Sequence, residues 1–212
     1  RGGHLDTLRF ARENGCDWDV DTCNEAASIG HLGVLQYAHE HGCEWNEETC
    51  AWAARYGHLA VLQYAHENGC RWNAETCSEA ACGGHLDVLR YAHEHGCQWN
   101  ATTCRDAASN GHLEVLQYAR GNGCAWDIAT CNAAAHHGHV DVLHWAHEHG
   151  ATWDAETCNC AVKGGHLDVL RYLHEHDCHS DATIVTVARV YRRSAILRWL
   201  RANGFPYIPD HD

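Results

Sequence analysis

The sequence predicts an all-α fold, a helical repeat solenoid of about seven repeats. A Gly-His dipeptide recurs seven times with a spacing of 27 residues, and each interval holds two helix patterns but no alternating strand pattern. A fixed period of about 20 to 50 residues indicates a stack of units, because a single unit cannot bury its apolar face alone. The dipeptides are Gly3-His4, Gly30-His31, Gly57-His58, Gly84-His85, Gly111-His112, Gly138-His139 and Gly165-His166.

The first helix of each repeat is predicted to begin at a polar N-cap. In residues 45–71 this residue is Asn46, whose side chain suits the exposed amide groups of a first turn. The small apolar residues that follow at helical spacing allow another helix to approach closely, and they are Cys50, Ala53 and Ala54. The residues equivalent to Asn46 are Asp19, Asn73, Asn100, Asp127 and Asp154.

The second helix is predicted to follow Gly57 and to end at Gly69, which suits a left-handed position after the last turn. Its inward residues are Leu59, Val61, Leu62 and Ala65. The glycines equivalent to Gly69 are Gly15, Gly42, Gly96, Gly123, Gly150 and Gly204. Each repeat is therefore expected to be a helix, a tight turn, a second helix and a short loop.

We expect one repeat domain over residues 1–212, because no linker composition interrupts the period. Residues 1–17 form a partial first repeat, 18–179 form six full repeats, and 180–212 form a degenerate C-terminal capping repeat. The chain begins at a second helix, so we expect it to be a fragment of a longer protein. We expect it to be a monomer or part of that longer chain.

The formal net charge of -13 argues against nucleic acid as the main partner, since nucleic-acid binders present basic surfaces. The sequence contains no run of about 18 apolar residues, so no membrane span is expected. Twelve of the fourteen cysteines follow the repeat in two series, and the distance between neighbouring helices excludes disulfides within one series. We therefore expect free thiols, a reducing compartment and an intracellular, cytoplasmic location.

Residues 53–62 read Ala-Ala-Arg-Tyr-Gly-His-Leu-Ala-Val-Leu and resemble the Ala-Ala-x-x-Gly-His-x-x-Val-Val core of ankyrin repeats. The match recurs along nearly the whole chain. About six residues are missing where the usual repeat of about 33 residues builds its β-hairpin finger. The sequence resembles the short ankyrin-like repeats of protists and large DNA viruses. The resemblance implies a non-catalytic scaffold that binds another protein on its inner-helix, concave surface.

Candidate binding residues are those that differ between equivalent positions, because stacking explains the recurring ones. Trp52 and Tyr56 are spaced to share one helix face, and aromatic and arginine side chains dominate binding hot spots. An alternative is that Trp52 packs against a neighbouring repeat and the rest is ordinary surface variation. The candidate partner-binding residues are Trp52, Arg55, Tyr56, Arg105, Asp106, His136, His137 and Lys163.

Catalysis is not expected, because the sequence holds no phosphate loop, no His-Glu-x-x-His and no distinctive nucleophile. No cofactor and no metal site are expected either. The cysteine spacing is too wide for a structural zinc module. The richest candidate cluster is His174, His176, Cys178 and His179. The alternative function is a metal-stabilised or redox-responsive Cys/His-rich repeat protein.

Overall fold

The computed structural model describes residues 5–180 and 182–205, apart from the side chain of Ala11. This part of the chain holds fifteen helices and no strand, which confirms the all-α class. The first Gly-His dipeptide, Gly3-His4, lies outside the described residues. So do residues 206–212, the end of the predicted capping repeat.

One helix precedes seven helix pairs, and each pair is the predicted first and second helix of a repeat. The first eight helices are α1 (Leu5–Glu13), α2 (Val20–Ser28), α3 (Leu32–Glu40), α4 (Glu47–Arg55), α5 (Leu59–Glu67), α6 (Ala74–Gly83), α7 (Leu86–Glu94) and α8 (Ala101–Ser109). The remaining helices are α9 (Leu113–Gly121), α10 (Ile128–His137), α11 (Val140–Glu148), α12 (Ala155–Gly164), α13 (Leu167–Glu175), α14 (Thr183–Val190) and α15 (Ser194–Ala202).

The helices belong to two compact units. The first unit comprises the residues up to 103 together with 114–124. Within it, α4 packs against both α2 and α6, and the second helices α3, α5 and α7 pack on their own first helices. The second unit comprises 104–113 and the residues from 125 onward, and in it α12 packs against both α10 and α14.

The predicted helix ends are confirmed. All six N-cap side chains accept a hydrogen bond from the amide N–H two residues later, at 2.8 to 3.1 Å. The seven glycines predicted after the second helices have φ between +81° and +88°. This left-handed conformation places no strain on glycine, so each second helix stops at a fixed residue.

The Gly-His dipeptides connect neighbouring repeats. In the first unit, His58 donates from Nε2 to the carbonyl oxygen of Ser28 at 3.1 Å, and in the second His139 donates to Ser109 at the same distance. A Cβ atom added to Gly30 would lie 2.6 Å from Nδ1 of His58. The glycine of one repeat therefore leaves space for the histidine of the next.

The two cysteine series meet inside the repeats. The loop thiols donate to the carbonyl oxygen of an N-cap residue, as in Cys43 to Asp19 and Cys70 to Asn46, both at 3.1 Å. Cys43 also lies 3.1 Å from the sulfur of Cys23, a buried first-helix cysteine. The loop position therefore accommodates a hydrogen-bond donor as well as a small apolar group.

Cys158 and Cys178 of the second unit occupy the same pair of positions and are joined in a disulfide, with their Cα atoms 6.9 Å apart. The expectation of free thiols throughout is therefore wrong at this pair. Repeat spacing excludes pairing within one series, but a first-helix cysteine can face a loop cysteine 20 residues later, as Cys23 faces Cys43 and Cys158 faces Cys178.

Within the described residues, two left-handed positions carry side chains instead of glycine. Asp177 has φ +57° and Arg192 has φ +55°, where the preceding repeat has Gly150 and Gly165. A left-handed residue with a Cβ atom costs about 1–2 kcal/mol, and glycine gives back part of this through the entropy of the unfolded chain. We expect Arg192→Gly to raise the free energy of unfolding by about 1 kcal/mol, and Asp177→Gly to raise it by somewhat less, because aspartate tolerates this conformation better.

Urea denaturation of the two variants measures this effect. Arg198→Gly is the matched control, because Arg198 is exposed within α15 and glycine costs about 1 kcal/mol in a helix interior. A loss of stability in Arg192→Gly would contradict the prediction.

Candidate functional site

The candidate site is centred on α4, the first helix of a repeat in the first unit. Trp52 of α4 and Tyr56, the residue that follows this helix, lie side by side. Their rings are nearly parallel, with centroids 6.0 Å apart. Trp52 is 39% exposed and Tyr56 is 49% exposed. The i, i+4 spacing correctly predicted that the two rings are neighbours.

Arg55 is held against the next first helix. Its guanidinium donates to Oε2 of Glu79 at 2.5 Å and to the sulfur of Cys82 at 3.3 Å. The Glu79 carboxylate raises the pKa of Arg55 above its ordinary value. Arg55 therefore remains charged, and its side chain is fixed on α6.

A cavity lies on each side of the aromatic pair, and Glu48, Trp52 and Tyr56 line both. The α2/α4 cavity, of about 590 Å³, is completed by Asp21, Asn24, Glu25 and Ser28. The α4/α6 cavity, of about 350 Å³, is completed by Ala51, Arg55, Glu75 and Glu79. The exposed rings thus form a ridge between two recesses.

Glu48 is positioned by a buried polar relay. Oγ1 of Thr49 donates to Oδ1 of Asn24 at 2.7 Å, and Nδ2 of Asn24 donates to Oε2 of Glu48 at 3.2 Å. Thr49 and Asn24 are both buried. The relay fixes the Asn24 amide and with it the direction of the Glu48 carboxylate, which lines both cavities.

The face of the first unit around Trp52 is acidic. Helices α2, α4 and α6 carry one basic residue, Arg55, and six carboxylates, which are Asp21, Glu25, Glu47, Glu48, Glu75 and Glu79. Helices α10, α12 and α14 of the second unit carry one carboxylate, Glu156, with Lys163 and Arg189. The acidic excess is thus specific to these first helices of the first unit.

These carboxylates were absent from the residues predicted for the site, although the repeat contains a signal for them. Equivalent positions in adjacent repeats are neighbours when the first helices pack side by side. The positions equivalent to Trp52 are Glu25 and Glu79, and those equivalent to Glu48 are Asp21 and Glu75. The sequence therefore places carboxylates on both sides of α4.

The other five predicted residues lie in the second unit, and each contacts another side chain of this chain. Arg105 and Asp106 form an ion pair at 3.4 Å. The rings of His136 and His137 are edge to face at 5.0 Å, and burial lowers the pKa of His137. Lys163 reaches back along α12 to Glu156 at 2.6 Å.

Variation at the position of Tyr56 has a steric cause in two repeats. A Cβ atom on Gly83 would overlap the carbonyl oxygen of Arg55, and one on Gly164 would overlap that of His136. The main chains of neighbouring first helices approach closely there. In these two repeats glycine is explained by packing, so variation alone does not mark the position as a binding site.

No three His, Cys, Asp or Glu side chains within 5–180 and 182–205 are grouped so as to hold a metal ion. In the predicted cluster, Cys178 is bonded to Cys158 and the ring of His174 lies edge to face with Trp199, with centroids 5.3 Å apart. Burial raises the pKa of Cys131 to about 11, so this thiol is protonated and unreactive at neutral pH. None of the described helices is long and apolar enough to cross a bilayer.

Part of the sequence matches a known family model, and most of the chain is similar in fold to a solved structure. Residues 131–174 match the family model of ankyrin repeats (many copies). No curated protein matches the chain significantly. Among solved structures, the human ASB11 ankyrin repeat domain is similar, with a TM-score of 0.69 at 18% sequence identity, over 88% of this chain and 99% of that one. At this identity the likeness concerns the fold.

Proposed function

Because this chain has the ankyrin repeat fold and residues 131–174 match the family model, we propose that it is a non-catalytic scaffold that binds another protein. Ankyrin repeats generally serve as protein–protein interaction modules. The proposed binding surface is formed by the first helices of the repeats, which line the concave face in ankyrin-like proteins. Fold alone does not identify a partner, so the argument depends on the site.

The observation that carries the proposal is the exposed pair of Trp52 and Tyr56 with a cavity on either side. Large aromatic side chains supply much of the binding energy at protein interfaces when partner groups fill the recesses beside them. Arg55 is held by Glu79 before any partner arrives, so little side-chain entropy is lost on binding.

We propose the residues of the second unit as additional contacts of smaller effect. Arg105, Asp106 and Lys163 are each engaged in an ion pair, and His136 and His137 pack on one another. None of these five residues is a tryptophan or a tyrosine, the large aromatic side chains that dominate binding hot spots. The expected energetic centre is therefore in the first unit.

We also propose a cytoplasmic location and a chain that acts as a monomer or as part of a longer protein. The buried thiols of Cys23, Cys43, Cys50 and Cys70 favour a reducing compartment, since they are free although sulfur contacts bring Cys23 close to Cys43. The disulfide of Cys158 and Cys178 is the observation that opposes this location.

The double variant Trp52→Ala/Tyr56→Ala tests the proposed function. We expect it to weaken partner capture at least about 100-fold while leaving the fold intact, because two hot-spot aromatics are lost and neither is buried. Affinity purification followed by quantitative mass spectrometry measures capture, and circular dichroism with urea denaturation measures folding.

The matched control removes two exposed apolar side chains elsewhere, Ile128→Ala and Val190→Ala. The control is expected to capture the same proteins as the natural chain. Equal capture by the Trp52→Ala/Tyr56→Ala variant would refute the proposed site.

A further inference from the structure

The α2/α4 cavity combines aromatic walls with carboxylates that have no cation. Trp52 and Tyr56 form one side, and three acidic residues, Asp21, Glu25 and Glu48, line the rest. Among the described residues, none of these three carboxylates takes part in an ion pair. We propose that this cavity binds the cationic side chain of an arginine or lysine in a basic segment of the partner protein.

The charge of the cavity is the first argument. Three carboxylates from two adjacent helices face one recess, and like charges brought together repel one another. An arriving cation removes this repulsion and gains charge-assisted hydrogen bonds. The net charge of -13 also attracts basic segments from a distance, which raises the association rate.

The aromatic pair is the second argument. A guanidinium or ammonium group is attracted to the face of a tryptophan or tyrosine ring, and a ring supplies this interaction while the carboxylates supply the hydrogen bonds. Trp52 and Tyr56 are nearly parallel and both exposed, so ring faces are available beside the carboxylates. An acidic segment would meet only repulsion in this recess.

The α4/α6 cavity explains why the cation is assigned to the α2/α4 cavity. In the α4/α6 cavity, Glu79 already forms an ion pair with Arg55, at 2.5 Å. In the α2/α4 cavity, Ser28 stands at the position equivalent to Arg55 and Trp52 at the position equivalent to Glu79, so the described part of the chain supplies no cation beside Asp21, Glu25 and Glu48. The chain thus provides its own cation to one cavity, and we infer that the partner provides it to the other.

The volume fits this use. At about 590 Å³ the α2/α4 cavity lies within the range of about 300–1,000 Å³ that is usual for ligand sites. The Thr49–Asn24 relay directs Glu48 toward it before binding. The recess therefore accepts one long side chain, and the neighbouring residues of the segment lie along the aromatic ridge.

Selection from a phage library of random dodecapeptides on the immobilised chain tests this inference, which rests on the proposed function. We expect the selected peptides to be enriched in arginine and lysine and depleted in aspartate and glutamate. Their affinity is expected to fall at least about tenfold in the variant Asp21→Asn/Glu25→Gln/Glu48→Gln, and to fall with rising salt.

The matched control is Glu40→Gln/Glu67→Gln/Glu94→Gln. It has the same net charge as the triple variant of the cavity, but it changes exposed carboxylates on second helices. It is expected to keep the affinity of the natural chain, so an equal loss in both variants would overturn the inference. Peptides that depend on Trp52 and Tyr56 but lack basic residues would leave the proposed function standing and overturn the cationic ligand. A selection without any enriched peptide would count against both.

Discussion

Replacing Leu89 by alanine is expected to lower the free energy of unfolding by about 2–5 kcal/mol. Leu89 lies on α7 and is fully buried, as are five equivalents in other repeats, Leu35, Leu62, Leu116, Leu143 and Leu170. Alanine loses the transfer free energy of the leucine side chain and leaves a cavity that the packed helices do not fill completely. In a stack of repeats the loss also weakens the coupling of this repeat to its neighbours.

Urea denaturation followed by circular dichroism measures this loss. Gln117→Ala is the matched control, because Gln117 is exposed on α9 and its replacement is expected to change stability by no more than about 0.5 kcal/mol. A loss of less than about 1 kcal/mol in Leu89→Ala would show that the second helices are not the stabilising layer.

Replacing Gly83 by alanine is expected to destabilise the protein by about 1–3 kcal/mol. Helix propensity alone gives the opposite sign, since alanine is favoured over glycine by about 1 kcal/mol inside a helix. The added Cβ atom would overlap the carbonyl oxygen of Arg55 and approach the ring of His85 to 2.6 Å. Both α4 and α6 would have to move apart, and this cost exceeds the gain in propensity.

Gly121→Ala separates the two effects in the same experiment. Gly121 is also the last residue of its helix, α9, and nothing lies within 4 Å of an added Cβ atom. We expect this variant to be as stable as the natural chain or more stable. If Gly83→Ala behaved in the same way, the close approach of α4 and α6 would be disproved.

The features that depend on local chain geometry could be predicted from the sequence. An N-cap such as Asn46 and a left-handed glycine such as Gly69 act within four residues of their own positions. The adjacency of Trp52 and Tyr56 follows from the helical repeat in the same way. Each of these needs only the pitch of one helix.

Contacts between helices were harder to predict because they depend on how far one repeat is displaced along the next. Arg55 reaches Glu79, which is 24 residues away, as well as Cys82, its exact equivalent in the next repeat. The pairing of Cys158 with Cys178 depends on where a loop lies over the first helix. The period fixes which repeats are neighbours and leaves this displacement open.

The candidate site likewise combines residues that the sequence marks with residues that only helix packing brings together. The exposed aromatic residues break the period, so the sequence marks them. The carboxylates that surround Trp52 occur at ordinary surface positions, and Glu25 and Glu79 become part of the site only through the packing of α2 and α6 beside α4. Lys163, predicted because its position differs between repeats, is engaged by Glu156 within its own helix.

The contacts from His58 to Ser28 and from His139 to Ser109 both span 30 residues and reach only the preceding repeat. A tandem duplication of 27 residues would therefore give every copied histidine a carbonyl acceptor in the copy before it. A deletion of 27 residues would close the gap in the same way. The length of this protein can thus change during evolution in whole repeats while these histidine contacts are kept, and a change outside residues 21–79 leaves Trp52 and its carboxylates together on three successive copies.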